Sequence, residues 1–289
     1  MKRREFLWRS GTAGLAAALG AGACARAAGS TEGARGKSFP LGAVGLQLYT
    51  VRTLMQQDVE RTLALVAAAG YSVVETAGLY DRPPAALRAL FARHGLRSSS
   101  GHYPLEQVES GAAFSTATAL GQEFVVVPSL PGALRGSLSA YGELADRFNR
   151  IGERARAAGL RFAYHNHSFE FENFGGAAPA YDTLLSRTDA ALVSFELDAY
   201  WAYKAGYDPV RYFEQHPGRF ALLHVKDGTA SPERAMVDVG NGVIDFRGVF
   251  AAARRAGLRY AFVEHDQPAD PSASIRSSHD HLAQLLRAR

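Results

Sequence analysis

Four apolar runs in the second half of the chain end in residues able to hold a metal or move a proton. They are Phe162-Ala-Tyr-His-Asn-His167, Val193-Ser-Phe-Glu-Leu-Asp198, Ala221-Leu-Leu-His-Val-Lys-Asp227 and Tyr260-Ala-Phe-Val-Glu-His-Asp266. Side chains alternate along a strand, so Leu222, His224 and Lys226 share a face. Together the four runs offer His165 or His167, Asp198, His224 and Glu264 as ligands for one divalent metal. Mixed imidazole and carboxylate donors suit Mn, Zn, Co, Fe or Mg rather than a thiolate metal. A carboxylate closing an apolar strand, as Asp198 does, is costly to bury without a cation. A metal of this kind polarises a carbonyl while a neighbouring base takes the adjacent proton.

Such residues need strands that end at one place. Apolar strand-like runs fall at 43–51, 71–77, 96–102, 123–130, 160–167, 193–200, 220–226 and 260–266. Helical stretches between them are expected at 55–69, 83–94, 105–120, 138–158, 177–187, 208–216, 247–256 and 273–287. Leu63, Val66 and Ala67 show the i, i+3, i+4 spacing of a helix that buries one face, as do Leu282, Leu285 and Leu286. Several helices run into Gly just before the next strand, at Gly70, Gly95, Gly159 and Gly257. Glycine accepts the left-handed cap conformation without a steric cost. Strand–helix alternation implies a parallel sheet. No Gly-rich phosphate turn follows the first run, and eight units in about 250 residues match a closed (β/α)8 TIM barrel. Its chemistry sits where strands end.

The first four runs contribute less. The first gives Gln47 and Tyr49, the second Glu75 and the third His102; the fourth ends at Pro128-Ser129 and is chemically quiet. Gln47, Tyr49, Glu75 and His102 are expected to contact substrate, and Trp201 and Tyr203 either stack on a substrate ring or pack at the barrel rim. Glu196 shares a face with Asp198. Lys226 shares one with His224; as an ammonium it stabilises an enediolate oxygen, unless it forms a surface ion pair with Asp227. Gly240-Asn-Gly242 reads as a plain turn.

The chain has 289 residues, 47% hydrophobic and 21% charged, enough to fill a core. Residues 1–29 read as a twin-arginine export signal: Lys2-Arg-Arg-Glu-Phe-Leu7 is the charged region and 11–23 the apolar one. Cleavage fits after Ala23 or Ala27, and Cys24, the single cysteine, is a candidate for lipidation. Residues 30–40 read as a linker and 41–289 as the barrel. Expected partners are the twin-arginine export machinery and a small-molecule substrate, with a periplasmic or exported location, an open oligomeric state, and no membrane span after processing. Residues 1–29 hold five of the 32 Lys+Arg and one of the 28 Asp+Glu, which leaves 27 of each. A neutral domain lacks the electrostatic footprint of a nucleic-acid binder.

From about residue 40 the chain resembles the sugar isomerase/epimerase superfamily of xylose-isomerase-like TIM barrels. The resemblance rests on Tyr164-His-Asn-His167 with Phe169-Glu-Phe171, Glu196-Leu-Asp-Ala-Tyr-Trp201, His224-Val-Lys-Asp227, Val239-Gly-Asn-Gly-Val-Ile-Asp245 and Val263-Glu-His-Asp-Gln-Pro268, in that order. It implies one divalent metal on Asp198, His224, Glu264 and, where the family carries Glu, His165. Trp201 stands where a His often follows the Asp by three residues. Glu264, His167 and Lys226 are the implied catalytic groups. The resemblance implies a sugar isomerase or epimerase acting on an unphosphorylated sugar. With His on the fifth strand, a metal-dependent lyase or dehydratase on 3-keto sugars or 3-keto-glycosides is the alternative. An exported, non-catalytic sugar-binding protein is a third reading.

Overall fold

The structure is a computed structural model, and it describes residues 44–176 and 178–287. The expected export signal, the expected linker and Cys24 lie outside the described residues.

Eight parallel strands close the expected barrel. They are β1 (Gly45–Gln47), β2 (Val73–Thr76), β3 (Arg97–His102), β4 (Phe124–Val127), β5 (Arg161–His165), β6 (Val193–Asp198), β7 (Phe220–Val225) and, after the short antiparallel pair β8 (Asp227–Gly228) and β9 (Met236–Val237), β10 (Tyr260–Val263). Around the barrel the order is β1-β10-β7-β6-β5-β4-β3-β2. Helices α1 (Arg52–Gln57), α2 (Val59–Ala68), α3 (Pro84–Arg93), α4 (Leu105–Ser110), α5 (Ala112–Leu120), α6 (Leu138–Ala157), α7 (Ala180–Arg187), α8 (Ala199–Lys204), α9 (Pro209–Gln215), α10 (Phe246–Ala256) and α11 (Pro271–Arg287) lie between and after the strands. No helix among the described residues is long and apolar enough to cross a membrane.

Two expected helices are each broken in two. The 55–69 stretch divides at Asp58, whose backbone is extended and whose carboxylate caps α2 by accepting from the Arg61 amide. The 105–120 stretch divides at Gly111, which takes φ 90°. The sixth strand stops at Asp198 rather than 200, because Asp198 accepts from the Trp201 amide and so starts α8.

The barrel interior is layered. Val73, Phe124, Ala163, Leu222 and Phe262 form one buried apolar cluster. Gly45 faces Phe262 so closely that a Cβ there would fall 2.6 Å from its ring. One alternation further along the same strands come Glu75, His165, His224 and Glu264. These four inward positions, two residues beyond the apolar layer, lie towards the C-terminal end of the barrel, where barrels of this type place their chemistry. A larger cluster, including Leu63, Phe91, Phe148, Tyr181 and Phe250, packs helices against the outer faces of the strands.

Candidate active site

Register sets the neighbours. Gln47 pairs with Glu75, His165 with Glu196, and Asp198 with His224. Inward side chains at these positions meet at the mouth of the barrel. A cavity of about 430 Å³ opens there, lined by Tyr49, His102, His165, His167, Lys226 and Glu264, with Ala77, Pro128, Ser129, Asp266 and Gln267. The chemically quiet end of β4 thus forms part of its wall.

His224 is the centre of the cluster and uses both ring nitrogens. Its Nδ1 lies 2.7 Å from Glu264 Oε2 and 3.9 Å from Asp198 Oδ2. Its Nε2 lies 2.7 Å from Glu75 Oε2 and 3.1 Å from Glu196 Oε2. His102 Nε2 contacts the same two carboxylates, at 3.1 Å from Glu75 and 2.8 Å from Glu196. His165 Nδ1 is 3.0 Å from Glu196 Oε2, while its Nε2 is 3.7 Å from Asp198 Oδ2. Two donor sets able to hold a metal ion follow, sharing His224: Asp198, His224 and Glu264 in one, and His102, His165, Glu196 and His224 in the other. The expected ligands Asp198, His224 and Glu264 are brought together, and His165 falls with the second set. Glu75 and Gln47, expected on substrate, are fully buried and bonded to each other at 2.8 Å.

Lys226 is 2% exposed and is not paired with Asp227. Its Nζ lies 3.0 Å from Asp198 Oδ2, 2.7 Å from Glu264 Oε2 and 2.8 Å from Asp266 Oδ1. The Asp198 contact has ion-pair distance without hydrogen-bond geometry, since Oδ2 accepts no hydrogen bond. Asp227 instead turns to the following loop and accepts from the amides of Gly228, Gly240, Gly242 and Ile244. The plain turn at Gly240-Asn-Gly242 is therefore built on an aspartate.

Charge is distributed unevenly. Burial opposes ionisation of Glu75 and Glu264, but imidazoles beside Glu75, and Lys226 with His224 beside Glu264, outweigh it and hold both well below the carboxylate range. Burial likewise opposes the charge on His102, yet Glu75 and Glu196 push it up to about 9. His224 and Lys226 are raised by their carboxylates in the same way. Burial, helped by His224, drives His165 far below the usual range. Burial raises Asp198 to about 6 against the pull of Lys226. Burial and then Lys226 lower His167 to about 3, so its ring is neutral. That ring lies 5.7 Å from Phe169 and 5.5 Å from Trp201. Trp201 thus packs on a histidine, and Tyr203 packs at the rim, donating to the Thr229 carbonyl.

One buried acid beside the cluster had no role in the sequence reading. Glu170 is fully buried, accepts from the His167 amide at 2.8 Å and bonds the Tyr164 hydroxyl. The only signal was its place in Phe169-Glu-Phe171, an acid between two aromatics.

A closed parallel barrel with a buried His and carboxylate cluster at its C-terminal mouth is the architecture of a TIM-barrel enzyme. The family model of the xylose isomerase-like TIM barrel matches residues 63–285, and the chain belongs to that family. It is 26% identical over 255 residues to an inosose dehydratase of Lacticaseibacillus casei, covering 74% of this chain and 83% of that protein. It is 24% identical to the inosose dehydratase of Geobacillus thermodenitrificans, covering 71% and 80%. A solved sugar phosphate isomerase/epimerase from Parabacteroides distasonis superposes with a TM-score of 0.73 at 28% identity, covering 83% of this chain and 93% of that one.

Proposed function

We propose that the protein is a divalent-metal-dependent lyase that dehydrates, or otherwise eliminates from, an unphosphorylated keto-sugar or keto-polyol. The observation that carries this reading is the placing of the cavity carboxylates. Glu264 and Asp266 both come from the end of β10, while the facing wall, from β3 to β5, presents His102, His165 and His167. Inverting a carbon by two carboxylates needs one on each side. Elimination needs only one, because the carboxylate that takes the proton beside the carbonyl can return it to a hydroxyl leaving from the same face. The curated relatives named as inosose dehydratases support the same choice.

The donors for the ion are those around His224. The fit is chemical as well as geometric: buried oxygens of Glu75, Glu196 and Asp198 have no hydrogen-bond partner, and imidazole with carboxylate suits Mn, Zn, Co, Fe or Mg. Bound there, a divalent ion supplies Lewis-acid polarisation of the substrate carbonyl or hydroxyl. Lys226 presents its ammonium to the oxygen that gains charge. Glu264 removes the proton from the carbon next to the carbonyl. A carbon–carbon double bond forms, the carbon–oxygen bond of the β-substituent breaks, and the proton leaves with it as water or an alcohol. Neutral His167 orients a substrate hydroxyl. Tyr49, 41% exposed with Arg52 at 4.0 Å from its ring centre, forms the outer edge. Among the described residues lining the cavity, Lys226 is the one Lys or Arg; Glu264 and Asp266 hold it at 2.7 and 2.8 Å, which leaves one donor for a single substrate oxygen.

A second reading, isomerisation, draws on the solved isomerase/epimerase at 28% identity. In it the proton taken by Glu264 goes back to carbon, at the neighbouring position or on the opposite face, and no leaving group departs. The test is turnover of a panel of inososes and 3-keto sugars with Mn²⁺, followed by proton NMR of the product. An unsaturated product, lost on chelation and regained with metal, is expected. An epimer without loss of water favours isomerisation. Turnover surviving complete chelation overturns the metal-dependent reading.

A further inference from the structure

We infer that the base of the barrel, the end opposite the cavity, is a cationic face that docks on an anionic phospholipid surface. This rests on neither the ion nor the reaction proposed above.

Topology gathers the charge. Helices α2, α3, α5, α6, α7, α9, α10 and α11 all end at the base, where the parallel strands begin. Their last turns carry Arg93, Arg187 and Arg287 on α3, α7 and α11. The pairs Arg154 with Arg156 and Arg254 with Arg255 end α6 and α10. Glu214 is the one acid in those turns. The segments leading into the strands, first strand residue included, add Arg97, Arg161, Arg219 and Arg259 against Glu123 and Asp189. Eleven arginines thus stand against three acids, an excess of eight positive charges. From residue 30 on the chain has 27 basic and 27 acidic residues, so the rest of it carries the matching acidic excess. Asp58, Asp208, Asp245 and Asp270, which accept from amides at the starts of α2, α9, α10 and α11, belong to that excess.

Helix dipoles explain only part of this segregation. A helix C-terminus carries about half a negative charge, so eight of them offset about four arginines. The remaining excess makes the face itself positive.

The face is also shaped for anions. Cavities of about 430, 490 and 340 Å³ open at the base. Arg97 and Arg259 line the first, Arg156 and Arg161 the second, and Arg88 and Arg97 the third, and no Asp or Glu lines any of them. All five arginines are exposed, and guanidinium groups bind phosphate through paired N–H bonds. Glu123 lies 2.7 Å from Arg259 and 3.7 Å from Arg161, and is one of the three acids already counted.

The place where the chain enters favours a membrane over a soluble polyanion. β1 starts at the base, so the segment before Val44 joins the barrel at this end. Cys24, the lipidation candidate, is twenty residues upstream of Val44. One acyl chain holds a protein only marginally without a basic surface beside it. Docking by the base also leaves the cavity, at the other end of the barrel, open to substrate.

The test is sedimentation of the full chain with vesicles of phosphatidylglycerol and of phosphatidylcholine. Binding to phosphatidylglycerol alone is expected, weakened at high salt. An arginine near an anionic bilayer is worth about five-fold in affinity, so Arg97→Gln, Arg156→Gln and Arg161→Gln combined should cost about 100-fold. Arg82→Gln, Arg211→Gln and Arg276→Gln combined remove the same charge nearer the mouth and should cost less than about five-fold. Circular dichroism confirms that both variants fold. Hydrogen exchange of the parent protein needs no substitution: phosphatidylglycerol vesicles should protect residues 94–97, 158–161 and 257–259 and leave the mouth unprotected. Equal losses from the two triple variants, binding indifferent to lipid charge, or protection confined to the mouth or to residues before 44 overturns the inference. So does retention on heparin without vesicle binding, which assigns the face to a soluble polyanion.

Discussion

Glu170→Gln isolates one buried proton. Glu170 is fully buried beneath His167, and burial raises its carboxyl from 4.5 to about 7 despite the bonds from Tyr164 and the His167 amide. A raised acid stabilises the fold while it is protonated. The contribution is complete below the unfolded value of 4.5 and is lost as pH rises through 7. At ~1.4 kcal/mol per pH unit of displacement, the full contribution is about 3.5 kcal/mol, of which about 2.5 kcal/mol disappears between pH 5 and pH 8. Gln keeps the shape and an acceptor for the His167 amide but does not titrate. Urea unfolding of both proteins at pH 5 and pH 8 supplies the numbers. The stability of Glu170→Gln relative to the parent should rise by about 2.5 kcal/mol from pH 5 to pH 8. A relative stability that stays constant within ~0.5 kcal/mol over that interval would refute the claim that Glu170 is held protonated by its surroundings.

Two contacts and the N-terminal sequence give three further outcomes. Lys226→Met strands Asp198 and Glu264 without their ammonium, so unfolding free energy should drop by about 3–5 kcal/mol and kcat by about 10²–10³; denaturant curves and steady-state kinetics read both. Asp227→Asn replaces an acceptor facing four amides with a group that is half donor, and Gly242 already packs so tightly that a Cβ there would lie 2.2 Å from Asp227 Oδ1. About 3 kcal/mol of stability should be lost, and KM should rise, because the loop also places Met236 Sδ 3.2 Å from the Asp266 amide. For the N-terminus, residues 1–29 fused to a reporter should direct export, and Arg3→Lys with Arg4→Lys should stop it; fractionation of cells checks this, and unchanged export would remove the twin-arginine reading.

The barrel was legible because each strand is an apolar run and each helix keeps its own period. Asp198, His224 and Glu264 stood out because a charged or polar residue closing such a run has few other uses. Depth was not legible. Whether an inward residue lines the cavity or lies beneath it depends on the stagger between neighbouring strands, as where Gln47 pairs with Glu75 and His165 with Glu196. Local alternation carries no record of that stagger, so Glu75 and Gln47 read as substrate contacts and prove buried. The partner of Lys226 was equally hidden. Asp227 is adjacent in sequence, yet the loop from β7 folds back so that four amides claim it, and Asp266, just beyond the neighbouring strand β10, takes its place at 2.8 Å. The helix break at Asp58 was readable in principle, since an aspartate ahead of an apolar-periodic stretch is a cap signal.

The central claim is that this protein, with its ion bound, breaks the bond between carbon and hydrogen next to a ketone. Proton NMR of metal-loaded protein with keto-polyols and keto-sugars in deuterated water measures that step directly. The account predicts that the signal of the hydrogen beside the carbonyl disappears, into an unsaturated product or by exchange with deuterium, and that chelation or Glu264→Gln prevents it. If that hydrogen persists in every substrate while the ion is in place, the account is wrong.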